Sequence, residues 1–222
     1  MAVNSATSAL HIACLALGVQ KNDLVWTSPI SFVASANCVL YCNATIDFID
    51  IDPTSYNLST KKLKQKLEHN RSNNLQLPNV LILVHLSGQS CEMAPIYALS
   101  KEYGFSIIED ASHAIGSQYK GKPIGNCQYS DITIFSFHPV KIITSAEGGI
   151  ATTNSIELAD KMSLFRSHGV TRDAEKMTET PHGDWYYQQI ELGFNYRMPE
   201  LQAALGISQI KRLSAYIEKR SL

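Results

Sequence analysis

The sequence predicts an α/β fold, a mostly parallel β-sheet with helices packed on both of its faces. Two observations carry this expectation. Strand-like and helix-like segments alternate along most of the chain, as they do when parallel strands are joined through helices. Several strand-like runs are also apolar almost throughout, as in "NVLILVHL" (79–86), which suits strands buried on both faces.

The elements follow in order. "NSATSAL" sets small hydroxyl residues before a helical pattern over 6–17, with Gly18 as its stop. The apolar run "ALHIACLALGV" inside it contains His11, has no basic residue before it and is too short to cross a bilayer. It therefore reads as a buried helix. "DLVWTS" (23–28) predicts a strand, 31–42 a helix, "TIDFID" (45–50) a strand and 59–69 a helix. After 79–86 comes a helix over 93–103, stopped by Gly104, and then the strand "GFSIIED" (104–110). "YKGKPIG" (119–125) reads as a hairpin-like turn. "DITIFSF" (131–137) and "GGIATT" (148–153) are strands, and 155–166 is a helix. Residues 168–195 are irregular, and a stretch that long inside a compact domain is functional or mobile. A helix with Pro199 near its first turn then runs on toward the end of the chain.

Composition narrows the function. The 222 residues are 45% hydrophobic and 18% charged with a net charge of −1, so neither nucleic acid nor an anionic membrane is the expected partner. The five cysteines form no CxxC pair and no zinc set, which predicts buried, reduced thiols in a cytoplasmic protein and no metal. No GxGxxG follows a strand, and no P-loop or GxSxG elbow occurs.

Ligands of open α/β sheets bind beyond the carboxyl ends of the strands. Glu109-Asp110, Ser136 with Lys141 five residues on, and His85 all fall at such ends. The hydroxyl-rich start of the first helix is a candidate phosphate site. A strand-end Asp, a strand-end Lys and a phosphate cradle are the set that pyridoxal phosphate requires, with an aromatic such as Phe32 to cover the ring. Each member has a plain alternative. Asp110 can cap "ASHAIG", Phe32 can be core, and Lys141 taken alone is a solvated loop lysine.

These residues lie within "NSATSAL", "SPISFVASAN", "FIDIDPTSYNL", "VHLSGQ", "IIEDASHAIGS", "YSDITIFSFHPVKIITSAEGG", "RSHGVTRD" and "ELGFNYRMPELQAALGISQIKRL". Over essentially its whole length the chain resembles the DegT/DnrJ/EryC1/StrS sugar aminotransferases. The resemblance implies the aspartate-aminotransferase-like fold, fold type I of the pyridoxal phosphate enzymes. It makes Lys141 the catalytic Schiff-base lysine and Asp110 the acid facing the pyridine nitrogen. His113 falls near the cofactor's phenolic oxygen, and Ala6, Thr7 and Ser136 on its phosphate. Phe32 stacks on the ring. Asn195 reaches the phosphate of a partner subunit, so the resemblance implies a homodimer with shared sites. His85, Gln89, Tyr196 and Arg197 lie in family motifs near the substrate. Dehydratase relatives carry His in place of the lysine, and Lys141 therefore favours amine transfer.

"SFHPVKIIT", "SHGVTRD" and "WYYQQIELGFNYRM" resemble the pseudaminic acid branch of the family. That branch aminates C4 of a UDP-linked 4-keto-6-deoxy-N-acetyl-hexose with glutamate as donor. A dTDP-linked keto sugar is the alternative substrate. By the same resemblance, residues 1–195 form the cofactor-binding large domain without its N-terminal segment. Residues 196–222 begin the connecting helix toward an absent C-terminal small domain. The chain then reads as a fragment of a longer reading frame, with a non-catalytic remnant as the alternative.

Overall fold

The computed structural model describes residues 1–220, so the last two residues of the expected 196–222 segment lie outside the described residues. At its centre is a seven-stranded sheet made of β1 (Ala2–Val3), β2 (Leu24–Thr27), β3 (Thr45–Phe48), β4 (Val80–Val84), β5 (Ser106–Asp110), β8 (Ile132–Ser136) and β9 (Gly149–Thr152). Their spatial order is β1-β9-β8-β5-β4-β2-β3. The five strands from β3 to β8 in that order pair in parallel, and β9 and β1 close one edge antiparallel. The parallel set brings the carboxyl ends of β4, β5 and β8 to one rim of the sheet.

The uninterrupted apolar runs have a simple cause. In β4, Val80 and Ile82 face one core, while Leu81 and Leu83 face another. Successive side chains of a strand point to opposite faces, so a strand covered on both sides needs apolar residues at every position. The first core is closed by α1 (Ala6–Ala16), α2 (Ala34–Tyr41) and α5 (Ile156–Arg166), through residues such as Leu10, Ile12, Cys38, Val39 and Met162. The second is closed by α3 (Thr60–Ser72) and α4 (Met93–Tyr103), through Leu63, Leu67, Ile96 and Leu99. All five cysteines are buried free thiols, and Cys14 Sγ lies 3.9 Å from Cys38 Sγ across α1 and α2.

Side-chain caps set the starts of α1, α3 and α5. Ser5, Ser59 and Ser155 accept hydrogen bonds from the amides of Ser8, Lys62 and Leu158. Gly104, at φ +80°, ends α4 in the left-handed conformation that a β-carbon disfavours. The expected turn at 119–125 is a small hairpin of β6 (Gln118–Tyr119) and β7 (Lys122–Pro123). The stretch 168–195 is less irregular than expected. β10 (Val170–Thr171) and β11 (Gln188–Gln189) pair antiparallel within it.

One expected element differs. The helix after Pro199 breaks at Lys211 and Arg212 into α6 (Glu200–Ile210) and α7 (Leu213–Arg220). The bend lets Leu213 and Tyr216 pack on a third apolar cluster that contains Ala111, Ala114, Phe135 and Phe137. No residue of α6 or α7 is fully buried, and Leu201 is 86% exposed. Among the described residues, no helix is long and apolar enough to cross a membrane.

Candidate cofactor site

Three pieces of local structure converge at the sheet rim. The first is the start of α1, where Ser5 caps the helix and Ala6 and Thr7 form its first turn. First-turn amides have no partner inside their own helix, so this end presents donors to an anion. Asn4, Ser5 and Ser8 brace it: Ser8 Oγ donates to Asn4 Oδ1 at 2.7 Å and lies 2.9 Å from Ser5 Oγ.

The second piece is Asp110, the last residue of β5, only 5% exposed. Burying a carboxylate is costly unless hydrogen bonds replace its water. Ser35 Oγ donates to Oδ2 at 2.7 Å; Ser112 Oγ donates to Oδ1 at 2.6 Å and its amide at 3.2 Å. Ser35 sits in the first turn of α2, so this helix orients the acid across the sheet rim.

The third piece follows β8. Ser136 ends the strand, and the chain folds into a tight loop that carries Lys141. Lys141 N–H donates to the His138 carbonyl at 2.9 Å. Thr144 Oγ1 and the Ser145 amide return to the Phe137 carbonyl at 2.9 Å and 3.0 Å. Partial burial lowers the Lys141 pKa against the opposing pull of Asp110. His113 is also lowered, by burial and then by the nearby Lys141 charge, with Asp110 opposing.

Ala6, Thr7, Phe32, Asp110, His113, Ser136 and Lys141 line one cavity of about 330 Å³. Sequence reasoning from strand ends and one helix start thus named residues that the fold brings together. It missed Ser35 and Ser112, which hold Asp110, and Ser31 and Glu147, which also line the cavity's wall or stand behind it. Asp110 does form an Asx-type turn with the Ser112 amide, but any non-proline residue supplies that amide, so the Ser112 hydroxyl carried no sequence signal. Phe32 is 70% exposed at the cavity's edge, not core. A second, wider cavity of about 650 Å³ shares Ser112, His113, Val140 and Lys141 and continues to Ser87, Ser117 and Arg220.

The other named residues lie elsewhere. Asn195 and Arg197 line a separate surface cavity beside Asn4 and Pro199, which meets the first one at Glu147. Tyr196 stacks on Phe194, with ring centroids 4.9 Å apart, and its hydroxyl lies 3.1 Å from His11 Nδ1. Gln89 offers its carbonyl to Asn57 Nδ2 at 3.0 Å in the loop after β4. His85 is fully buried, hydrogen-bonded to Glu109, and lines neither cavity that contains Lys141.

The sequence model of the DegT/DnrJ/EryC1/StrS aminotransferase family matches residues 1–222. The chain belongs to this family. A UDP-4-amino-4,6-dideoxy-N-acetyl-beta-L-altrosamine transaminase of Campylobacter jejuni is 44% identical over 218 residues, 98% of this chain and 54% of that protein. A GDP-perosamine synthase of Caulobacter vibrioides is 37% identical over 220 residues, 99% of this chain and 54% of that protein. Among solved structures, Helicobacter pylori PseC, described as an aminotransferase involved in the biosynthesis of pseudoaminic acid, has a TM-score of 0.81. It is 33% identical, with 96% of this chain and 53% of that one covered. The PMP-form of the putative sugar aminotransferase Spr1654 of Streptococcus pneumoniae superposes with a TM-score of 0.84 at 27% identity, covering 100% of this chain and 58% of that one. The chain spans about half the length of the curated relatives it matches.

DegT-family aminotransferases use pyridoxal phosphate, and solved neighbours include PLP- and PMP-forms. The residues of this cavity fit that cofactor. A partly buried amine, a buried carboxylate fixed by three donors, and a helix start rich in free amides face one space of cofactor size.

Proposed function

We propose that this chain forms the cofactor-binding part of a pyridoxal phosphate-dependent nucleotide-sugar aminotransferase. It moves an amino group from glutamate to C4 of a UDP-linked 4-keto-6-deoxy-N-acetyl-hexose, for surface glycan synthesis. The observation that carries the reading is the meeting of Lys141, Asp110 and the first turn of α1 in one cavity. The similarity to the Campylobacter transaminase supports the UDP-linked sugar. The 37% identity to a GDP-perosamine synthase keeps a second reading alive, the same reaction on another nucleotide-linked keto sugar, such as a dTDP-linked one.

When bound, pyridoxal phosphate supplies an electron sink for the pair left behind when a proton leaves the donor's α-carbon. The residues here do the rest. Lys141 Nζ would hold the cofactor and would carry that proton, a task that requires the neutral amine. Its lowered pKa raises the share of that form. Asp110, steadied by Ser35 and Ser112, would face the ring nitrogen and favour its protonated form. The amides at Ala6 and Thr7 and the Ser136 hydroxyl would hold the phosphate. Phe32 would cover the ring, and His113 would serve the phenolic oxygen. Asn195, outside its own subunit's cavity, serves the phosphate of a partner in a homodimer.

The test is amine transfer by the purified chain supplied with cofactor, glutamate and either the UDP- or the dTDP-linked keto sugar. Mass spectrometry of the sugar product reads the outcome. An amino sugar from the UDP substrate, lost in Lys141→Ala, is expected. Turnover of the dTDP sugar alone selects the second reading. No transfer with either sugar marks the chain as a non-catalytic remnant.

A further inference from the structure

The chemistry above uses neither His85 nor Glu109, yet both are buried where an ionisable pair is costly unless every polar atom is matched. Here each is matched. Glu109 Oε2 accepts from His85 Nε2 at 2.7 Å, and Oε1 accepts from Thr133 Oγ1 at 2.8 Å and from Ser130 Oγ. Burial acts to raise the Glu109 carboxyl, but the hydrogen bonds from His85, Ser130 and Thr133 outweigh it and hold the group below its ordinary value.

Two influences compete on His85. Burial favours the neutral ring, whereas Cys91 and Glu109 draw it toward protonation and, on electrostatics alone, push its pKa up to about 10. The backbone decides between them. The Cys91 amide donates to Nδ1 at 3.1 Å, and a proton on that nitrogen would set two N–H groups against each other. His85 is therefore the neutral Nε2–H tautomer, tied at one nitrogen to β5 and at the other to Cys91.

Those ties close a loop. Residues 86–91 leave the end of β4 and return to Cys91 under His85. Asn57 staples the same loop, accepting from the Leu86 amide at 3.0 Å and donating to the Gln89 carbonyl at 3.0 Å. At its tip Ser87 has φ +54°, a left-handed conformation that costs a non-glycine residue and persists only where its surroundings hold it. The tip rests on His113. The Ser87 amide donates to His113 Nδ1 at 3.3 Å, and a β-carbon on Gly88 would sit 2.9 Å from the His113 carbonyl oxygen.

We propose that His85 and Glu109 are positioning residues for His113: they hold the loop 86–91 so that the Ser87 amide occupies His113 Nδ1 and fixes His113 as its Nε2–H tautomer. The cavity then faces a ring N–H donor instead of a bare lone pair. A donor is what an anionic oxygen of the ligand requires, and this last consequence rests on the cofactor reading above. The tautomer itself does not.

The test uses the full chain without cofactor, at a pH above the ordinary histidine range. Long-range proton–nitrogen correlation of the imidazole rings reports each tautomer, with His113→Gln to assign the signal. Hydrogen exchange reports the Ser87 amide. We expect a single Nε2–H tautomer for His113. In Glu109→Gln, the His113 signal moves to a tautomer mixture, and Ser87 exchange accelerates by about fivefold or more, the factor that one lost hydrogen bond implies. Thr133→Val, which removes one donor to Glu109 and keeps the shape, gives a smaller change in the same direction. Met162→Ala, a variant on α5 in the other core, leaves the tautomer unchanged. An Nδ1–H or mixed tautomer in the parent chain overturns the proposal. So does an unchanged tautomer in Thr133→Val together with Glu109→Gln, or in Thr133→Val alone if the other variant does not fold. A chain that fails to bind cofactor but keeps these signals would reject the cofactor reading and leave the positioning device standing.

Discussion

Lys141 was the least legible of the site residues from its own neighbourhood, because a lysine after a strand is most often solvated. What singles it out is long-range: β5 and β8 are parallel neighbours, so Asp110 and the loop after Ser136 end on the same rim. Its lowered pKa gives a signed prediction. Between the folded value and the ordinary lysine value, the unfolded chain binds more protons than the folded one. Stability should therefore rise with pH through that window. Denaturant midpoints measured across the alkaline range should climb more in the parent than in Lys141→Met. Equal slopes would show that the amine is not desolvated. For Asp110, the claim is that its charge matters more than its shape. Asp110→Asn should retain the fold and lower amine transfer by about 10²-fold or more, on the scale of a lost electrostatic partner in an active site. Ser35→Ala should cost much less, about 1 kcal/mol of orientation, since Ser112 still holds the other oxygen.

At the scale of elements, most boundaries were readable because the signals are local. The serine caps, Gly104 and the two-sided apolar strands lie within the sequence of the element they define. The break between α6 and α7 was not readable. The apolar pattern runs on through Lys211 and Arg212, and the bend is set by the contact of Leu213 and Tyr216 with a cluster built from Ala111, Ala114 and Phe135. The burial of His85 was hidden for the same reason, since its partner Glu109 belongs to the next strand. Two variants separate local from long-range support. Ser5→Ala removes the cap of α1 and should cost about 1 kcal/mol of stability by chemical denaturation. It should also weaken cofactor binding, because the same turn carries Ala6 and Thr7. Leu63→Ala opens the second core from α3 and should cost about 2–5 kcal/mol. It should leave cofactor affinity unchanged in the folded fraction.

At the scale of the whole chain, one rim of the sheet collects the candidate site, and several large apolar side chains are left exposed. Leu201, Ile207 and Ile210 on α6, together with Leu40 and Tyr41 of α2, are exposed. Large exposed apolar patches mark association surfaces. If the homodimer proposal holds, analytical ultracentrifugation gives a dimer that Leu201→Glu with Ile207→Glu converts to monomer. A monomeric parent chain would remove the proposed role of Asn195. The central claim is that Lys141 is the amine that holds the cofactor. It is tested most directly by incubating the chain with pyridoxal phosphate, reducing with borohydride and mapping the fixed mass by peptide sequencing. The account predicts one modified residue, Lys141, with labelling reduced in Asp110→Ala. Labelling spread over surface lysines, or unchanged total labelling in Lys141→Ala, would contradict it.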